Sequence, residues 1–320
     1  MQAILSVTIP FFALVLAGYL AAHRHVLPES AIPGLNAFVL YFALPCMLFR
    51  FGAGTAIFEL LNPVVLGVYL ACALLIVFFT IAVTLRDPVH LKDAAFGALV
   101  AAFPNTGFMG VPLLVALLGP AAAGPMMSVL LADLFVTSSL CIALAQAHDA
   151  AGHGARKGAL RALRGALSNP LPWAIALGAA FSVAGWQLPG PADSVVRMLA
   201  DAASPVALFT IGAVLHRAGQ HVHARTPPGR YLPVAAIKLV LHPLLVFLLA
   251  TSAHGLGLPL STFQVAVMTL AAALPSASNV SLLAERFGAD NGRVARIIMS
   301  STVLAFVSFP FLAWLFGARP

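Results

Sequence analysis

The stretch AAFPNTGFMGVPLL, residues 101–114, interrupts an otherwise apolar segment with two prolines, two glycines, an asparagine and a threonine. Proline removes a backbone donor and clashes with the carbonyl one turn earlier, and glycine lowers helix stability further. In a bilayer, unwound backbone is tolerated only where protein or a water-filled cavity satisfies its polar groups. The stretch therefore predicts either a kinked structural helix or a broken helix that faces a polar site.

The composition around this stretch is typical of a polytopic membrane protein. The 320-residue chain is 61% hydrophobic and 8% charged, with a mean hydropathy of +0.99, whereas soluble domains are about 25% charged. Crossing a ~30 Å hydrocarbon core takes about 20 apolar residues. Runs of this kind occupy residues 3–22, 33–51, 63–85, 94–118, 124–147, 170–188, 194–215, 232–253, 262–284 and 294–316. We predict an all-α fold with ten transmembrane helices.

Lysine and arginine are distributed asymmetrically between the two sides that ten spans would create. Thirteen fall in one set of loops and three in the other, and Lys238 lies within a span. The positive-inside rule assigns the basic loops to the cytoplasm, which predicts that both termini face outward. Because the positive charge lies in membrane loops, it indicates no nucleic-acid partner.

The basic stretch 148–169 divides the chain into halves, 1–147 and 170–320, with five predicted spans each. Five is odd, so two such repeats would be inverted in the membrane. Pro104 in the fourth span is matched by Pro275 of AAALPSASNV (271–280) in the ninth, and Pro45 and Pro205 lie 160 residues apart. We predict a 5+5 inverted repeat in which helices 4 and 9 are interrupted.

The paired breaks favour a binding site for a small anion. Each break would present a half-helix N-terminus whose free N–H groups and positive dipole end attract negative charge. Neither break contains an acidic residue. The predicted substrate-binding residues are Pro104, Asn105, Thr106, Gly107, Pro275, Ser276, Ala277, Ser278 and Asn279.

Three ionisable residues within the spans are candidates for charge balance or coupling. Lys238 balances a carboxylate substrate, replaces a coupling cation, or extends to the nearby interface as an anchor. His242, one turn later on the same face, either carries a coupling proton or packs as a structural residue. Asp133 either binds a coupling cation, bridges to Lys238, or holds helices together near Thr137 and Ser138.

Several other chemistries find no support in the sequence. Cys46, Cys72 and Cys141 lie in apolar spans without partners at ligand spacing, and the loop histidines 216, 221 and 223 have no accompanying acid or cysteine. Motifs of zinc proteases, P-loop nucleotide sites and serine hydrolases are missing. We therefore predict a protein that is not an enzyme and holds no metal or cofactor.

Four motifs resemble the auxin efflux carrier family, which includes bacterial carriers of malonate and plant PIN-formed auxin carriers. They are FPNTGFMGVPLL (103–114), ALPSASNVSLLAERFG (273–288), ALPCMLF (43–49) and IKLVLHPLL (237–245). The resemblance implies that helices 4 and 9 cross at their breaks and that carboxylates bind there. It also implies a scaffold of helices 1, 2, 6 and 7, transport helices 3–5 and 8–10 that move as an elevator, a homodimer, and a bacterial inner membrane.

Together these features predict a secondary transporter of small organic anions, with malonate or a related dicarboxylate as substrate and the lipid bilayer as surroundings. The alternative is a sodium-coupled symporter of bulkier organic anions, like the bile acid carriers, which would require an oxygen-rich cation site. A membrane sensor that binds a ligand without transporting it is a third hypothesis. Coupling to H⁺ or Na⁺ stays open at this point.

Overall fold

The computed structural model describes residues 2–147, 169–220 and 226–318, and each of the ten apolar runs contains helix. The helices are numbered here by those runs. Their bounds are α1 Gln2–His23, α2 Glu29–Gly54, α3 Pro63–Thr84, α4a Leu91–Ala102, α4b Thr106–Leu118, α5 Pro120–Gln146, α6 Pro170–Ala184, α7 Gly190–Gln220, α8 Leu232–Gly255, α9a Thr262–Ala273, α9b Asn279–Arg286 and α10 Asn291–Leu315. The basic loop 148–169 lies outside the described residues, except for Asn169.

Seven helices, in the part of the chain that the structure describes, are long and apolar enough to cross a membrane. They are α1, α2, α3, α5, α7, α8 and α10, whereas α4b, α6 and α9a are shorter apolar helices. Runs 4 and 9 are shortened by their breaks. Run 6 was predicted to reach residue 188, but α6 ends at Ala184 because Gly185 adopts the left-handed conformation (φ 65°). The chain is thus an all-helical polytopic membrane protein.

Local sequence signals set several helix starts. The Asn62 side chain accepts hydrogen bonds from the amides of Val64 and Val65 at the start of α3, and Asn169 caps α6 in the same way. Ser261 and Gln264 form a reciprocal capping box at the start of α9a. These side chains satisfy N–H groups that have no partner within the helix.

Two helix pairs make unusually close backbone contacts through glycine. A Cβ atom at Gly18 of α1 would overlap the carbonyl oxygen of Phe209 in α7, and one at Gly178 of α6 would overlap that of Phe49 in α2. Small residues let helix backbones approach closely within a membrane. The pairs α1–α7 and α2–α6 are thereby held at short range, and α2 also packs against α7.

The remaining helices pack in a corresponding manner. α3 packs against α4a, and α8 packs against α9a, while α3 and α8 also contact each other. α5 lies against α3 and α4a, and α10 lies against α4a and α9a. This packing places the two interrupted helices at the centre of one continuous buried core.

Candidate functional site

The break in helix 4 follows from Pro104. α4a ends at Ala102, Phe103 is extended (φ −100°, ψ 97°), and α4b begins at Thr106 with a π-helical turn, Thr106–Gly110. Proline cannot donate to the helical ladder and disfavours helical conformation in the residue before it. The predicted break is therefore confirmed, and its backbone is unwound rather than merely kinked.

The break in helix 9 has the same cause. α9a ends at Ala273, Leu274 is extended (φ −61°, ψ 155°) before Pro275, and α9b begins at Asn279. Both breaks are buried, with Asn105 and Ser276 only 3% and 1% exposed. Each break therefore needs polar partners from within the protein.

The two breaks form hydrogen bonds with each other. Pro104 and Ser276 form an antiparallel β-bridge. The amide of Asn105 donates to the carbonyl oxygen of Pro275 at 2.8 Å, and the amide of Ala277 donates to that of Phe103 at 3.0 Å. Helices 4 and 9 thus cross at their unwound segments, and four peptide groups that lost their helical partners are paired across the crossing.

Other polar groups at the crossing stay without protein partners. The amides of Gly107 and Phe108, and those of Ser278 and Asn279, have no acceptor among the described residues. The buried side-chain oxygens Thr106 Oγ1 and Asn279 Oδ1 likewise have none there. These groups lie at the N-terminal ends of α4b and α9b, where the helix dipole favours negative charge.

Carbonyl groups near the C-terminal ends of α4a and α9a, by contrast, have hydrogen-bond donors. The Ser276 hydroxyl donates to the carbonyl oxygen of Val100 in α4a at 2.8 Å, so this predicted substrate donor is already engaged. Lys238 Nζ donates to the carbonyl oxygen of Ala272 in α9a at 2.6 Å. The negative ends of both half-helices are therefore capped by donors, whereas the positive ends are left available.

A small cavity of about 10 Å³ adjoins the crossing. Phe108 and Ser278 line it from the breaks, and Asn36 of α2 and Thr210 of α7 line it from the other side. This volume holds about one water molecule, so the described conformation encloses the crossing. Asn36 and Thr210 were missed by the sequence reasoning, because single polar residues within apolar spans carry no spacing signal.

Lys238 and His242 are fully buried on α8. Lys238 Nζ lies 3.2 Å from His242 Nδ1, which confirms that they share a helix face. Because the lysine side chain is 0% exposed and bonded to Ala272, it does not extend to an interface. The anchor interpretation of Lys238 is therefore wrong.

Asp133 on α5 is also fully buried. It accepts hydrogen bonds from the hydroxyls of Tyr69 at 3.2 Å and Thr137 at 3.3 Å, and its backbone carbonyl accepts one from Ser138 at 2.8 Å. No direct ion pair joins Asp133 to Lys238, both of which are described residues. The predicted bridge between them is replaced by contacts through Tyr69 and His242, whose ring centroids lie 5.9 Å apart.

A second buried cation, Arg293, looked from the sequence like part of a basic loop. It is 2% exposed at the start of α10. Its Nε donates to the carbonyl oxygen of Arg230 at 2.9 Å and its Nη1 to that of Asp93 at 2.8 Å. The planar guanidinium thus ties the first turns of α4a and α10 to the segment before α8.

Comparison with known proteins identifies the family of this chain. A family model described as "Membrane transport protein" matches residues 3–152 and 155–313. The chain belongs to the membrane transport protein family. Among similar proteins, the "Putative malonate transporter" of Rhizobium meliloti (strain 1021) is 30% identical over 328 residues, covering 100% of this chain and 98% of that protein.

Other relatives of this membrane transport protein extend over similar lengths. The "Uncharacterized transporter YfdV" of Escherichia coli (strain K12) is 27% identical, covering 97% of this chain and 96% of that protein. "Auxin efflux carrier component 8" of Arabidopsis thaliana is 22% identical, covering 85% and 86%. The resemblance to the auxin efflux carrier family is therefore confirmed, and the family and these relatives are transporters rather than enzymes.

Proposed function

We propose that this membrane transport protein is a secondary transporter of small dicarboxylates, malonate or a close relative, with its binding site at the crossing of helices 4 and 9. The observation that carries the proposal is the asymmetry of the four half-helix ends. Donors cap the carbonyls of Val100 and Ala272, whereas the N-terminal ends of α4b and α9b keep backbone amides that have no acceptor among the described residues. A carboxylate is the ligand whose charge and acceptor geometry match such ends.

The same asymmetry disfavours the sodium-coupled alternative. A sodium site needs several oxygen ligands, and two helix-end carbonyls that could serve are bonded to Ser276 and Lys238. Asp133, the acidic residue that was a candidate cation ligand, accepts hydrogen bonds from two hydroxyl groups. It lies on α5 rather than in either break. We therefore retain the dicarboxylate transporter as the proposed function.

An inverted repeat is supported by the glycine contacts. Gly18 and Gly178 lie 160 residues apart, and so do Gly52 and Gly212, whose added Cβ atoms would also overlap backbone of the partner helix. The α1–α7 contact thus maps onto the α6–α2 contact with the same offset that relates Pro45 to Pro205. Two five-helix units related in this way must have opposite orientations in the membrane.

This architecture suggests how access alternates. α1, α2, α6 and α7 form a tightly packed scaffold, and helices 3–5 and 8–10 carry the crossing against it. Asn36 and Thr210 of the scaffold close the cavity beside Phe108 and Ser278, so a dicarboxylate can enter only when the two groups of helices separate or slide. We propose an elevator motion of the transport helices, with substrate bound at the moving boundary.

The proposal extends to the topology, the membrane and the oligomeric state. The basic loops face the cytoplasm, both termini lie outside, and the protein resides in a bacterial inner membrane as a homodimer joined through the scaffold. Exposed apolar side chains on the scaffold, such as Trp173, Leu177 and Met198, suit a lipid or subunit contact.

Counterflow in liposomes tests the function. Purified protein is reconstituted with unlabelled mono- or dicarboxylates inside, and uptake of labelled malonate is followed. We expect counterflow with dicarboxylates inside, and a strong reduction in Asn279→Ala, because the substitution removes the side-chain NH₂ group that can donate a hydrogen bond to a carboxylate at the start of α9b. Gln187→Ala, in the exposed α6–α7 connection, serves as the matched control. Equal counterflow in all three proteins would place the site elsewhere, and no counterflow with any carboxylate would refute the function.

A further inference from the structure

Four ionisable side chains form a fully buried cluster beside the crossing. Tyr69 comes from α3, Asp133 from α5, and Lys238 and His242 from α8, and each is 0% exposed. Both Asp133 and Lys238 sit in π-helical turns, Ala132–Thr137 and Ile237–Leu241. Such turns are rare and occur often at functional sites, because they re-aim a side chain at the expense of helical regularity.

The contacts within the cluster form a continuous chain. Tyr69 donates to Asp133 Oδ2 at 3.2 Å, its ring lies against that of His242, and His242 Nδ1 lies 3.2 Å from Lys238 Nζ. His242 Nε2 is buried and has no partner among the described residues. A buried, unpaired ring nitrogen is unfavourable in a structural cluster, but it suits a site that exchanges protons.

The net charge of the cluster changes with the proton on Asp133. With Asp133 ionised and Lys238 charged, the two cancel, although no direct ion pair joins them. With Asp133 protonated, the positive charge of Lys238 is left uncompensated. Lys238 is bonded to Ala272, three residues before Pro275, so that charge stands next to the proposed carboxylate site.

The helices packed against the cluster bring few other titratable groups. α9a brings none, and α3 and α5 bring the thiols of Cys72 and Cys141. α8 adds His254 near its far end. α4a and α10 bring Lys92, Asp93, Arg293 and Arg296 in their first two turns, where Arg293 is bonded to the Asp93 backbone. The carboxylate of Asp133 is thus the group whose proton sets the charge beside the crossing.

We propose that the cluster of Tyr69, Asp133, His242 and Lys238 is a proton-binding site, and that its proton crosses the membrane together with the dicarboxylate. The inference rests on the proposed function. Protonation of Asp133 leaves Lys238 free to attract the anion, and a bound anion in turn favours protonation, because linkage between two ligands is reciprocal. No other reactant is required, since the proton moves from water to a carboxylate oxygen and back.

Proton coupling predicts a specific pH dependence. Between pH 6.5 and 8.5 the affinity of the wild-type protein for malonate should fall as pH rises, by about 5- to 150-fold in total, which is the usual range of coupling between two sites. A pH gradient, acidic on the side of the labelled malonate, should drive its accumulation in liposomes. An uncoupler should abolish that accumulation.

Asp133→Asn tests the assignment, because asparagine resembles the protonated acid in charge and size. We expect malonate affinity that no longer depends on pH and counterflow that continues, but no accumulation driven by the pH gradient. Asp201→Asn is the matched control, since Asp201 is 72% exposed in a surface ion pair with Arg50; it should behave like the wild type.

If Asp133→Asn does not fold, Tyr69→Phe provides the second test. Removal of the hydroxyl donor makes the ionised carboxylate less favourable, so the pH at which malonate affinity falls should move upward. Wild-type counterflow without any response to the pH gradient would overturn the proton site but not the proposed function. A pH response that persists unchanged in both variants would also overturn it. If the wild type shows no carboxylate counterflow at all, the proposed function fails, and the proton site with it.

Discussion

Lys238→Met removes the cation beside the crossing while keeping a side chain of similar length. Nζ donates to Ala272, which is three residues before Pro275. Three residues span at most about 10 Å, and we take this as the separation between the charge and the ligand. When Asp133 is protonated, the charge of Lys238 is uncompensated, and at that distance and an effective dielectric constant of about 20 it contributes about 1.7 kcal/mol for each negative charge on the ligand. A monocarboxylate should therefore bind about 15- to 20-fold more weakly, and a dicarboxylate should lose roughly twice that free energy.

The assay is isothermal titration of the detergent-solubilised protein with malonate and with a monocarboxylate of similar size. The unequal loss is the informative result, because a general weakening of the fold would reduce both affinities alike. Arg197→Met, which removes an exposed arginine of α7, should leave both unchanged. The electrostatic reasoning is refuted if Lys238→Met lowers the two affinities by the same factor or leaves malonate binding intact.

Three further substitutions test the packing described above. Gly178→Ala should lower the free energy of unfolding by about 1–3 kcal/mol, because the added Cβ overlaps α2. Gly67→Ala is the control, since a Cβ there meets open space, and it should be neutral or stabilising by up to ~1 kcal/mol. Equal shifts in melting temperature for the two variants would contradict the close contact. Ser276→Ala should lower the free energy of unfolding by about 1–3 kcal/mol, because it leaves the Val100 carbonyl unpaired; an unchanged melting temperature would contradict this. Arg293→Met should lower the free energy of unfolding by about 3–6 kcal/mol, because two charged hydrogen bonds are lost. Arg293→Lys should recover only part of this in thermal unfolding; full recovery by lysine would mean that the forked geometry is unimportant.

Much of the fold is readable from the sequence because its signals are local. Apolar runs define the helices, and Pro104 and Pro275 define the breaks without reference to any partner. Gly18 and Gly178 are separated by the same 160 residues as Pro45 and Pro205, so this correspondence is also present in the sequence.

The rest depends on contacts between distant segments. Nothing in the local sequence shows that the amide of Asn105 pairs with Pro275, or that Lys238 binds the carbonyl of Ala272 instead of reaching an interface. The sequence does not show that Arg293 is buried, because its two hydrogen-bond acceptors are backbone carbonyls, which every residue has. Tyr69 was missed for a similar reason, since a single tyrosine in an apolar helix is most often a packing residue.

Malonate protection of a cysteine placed at the crossing tests the account most directly. Ser278, beside the cavity, is changed to cysteine in a background without Cys46, Cys72 and Cys141, and labelling by a small maleimide is timed with the protein in liposomes that retain counterflow. The account predicts that malonate slows labelling at concentrations that saturate transport, whereas a non-transported sugar acid of similar charge does not. Labelling at the same rate with and without malonate, while transport continues, would contradict a carboxylate site at the crossing.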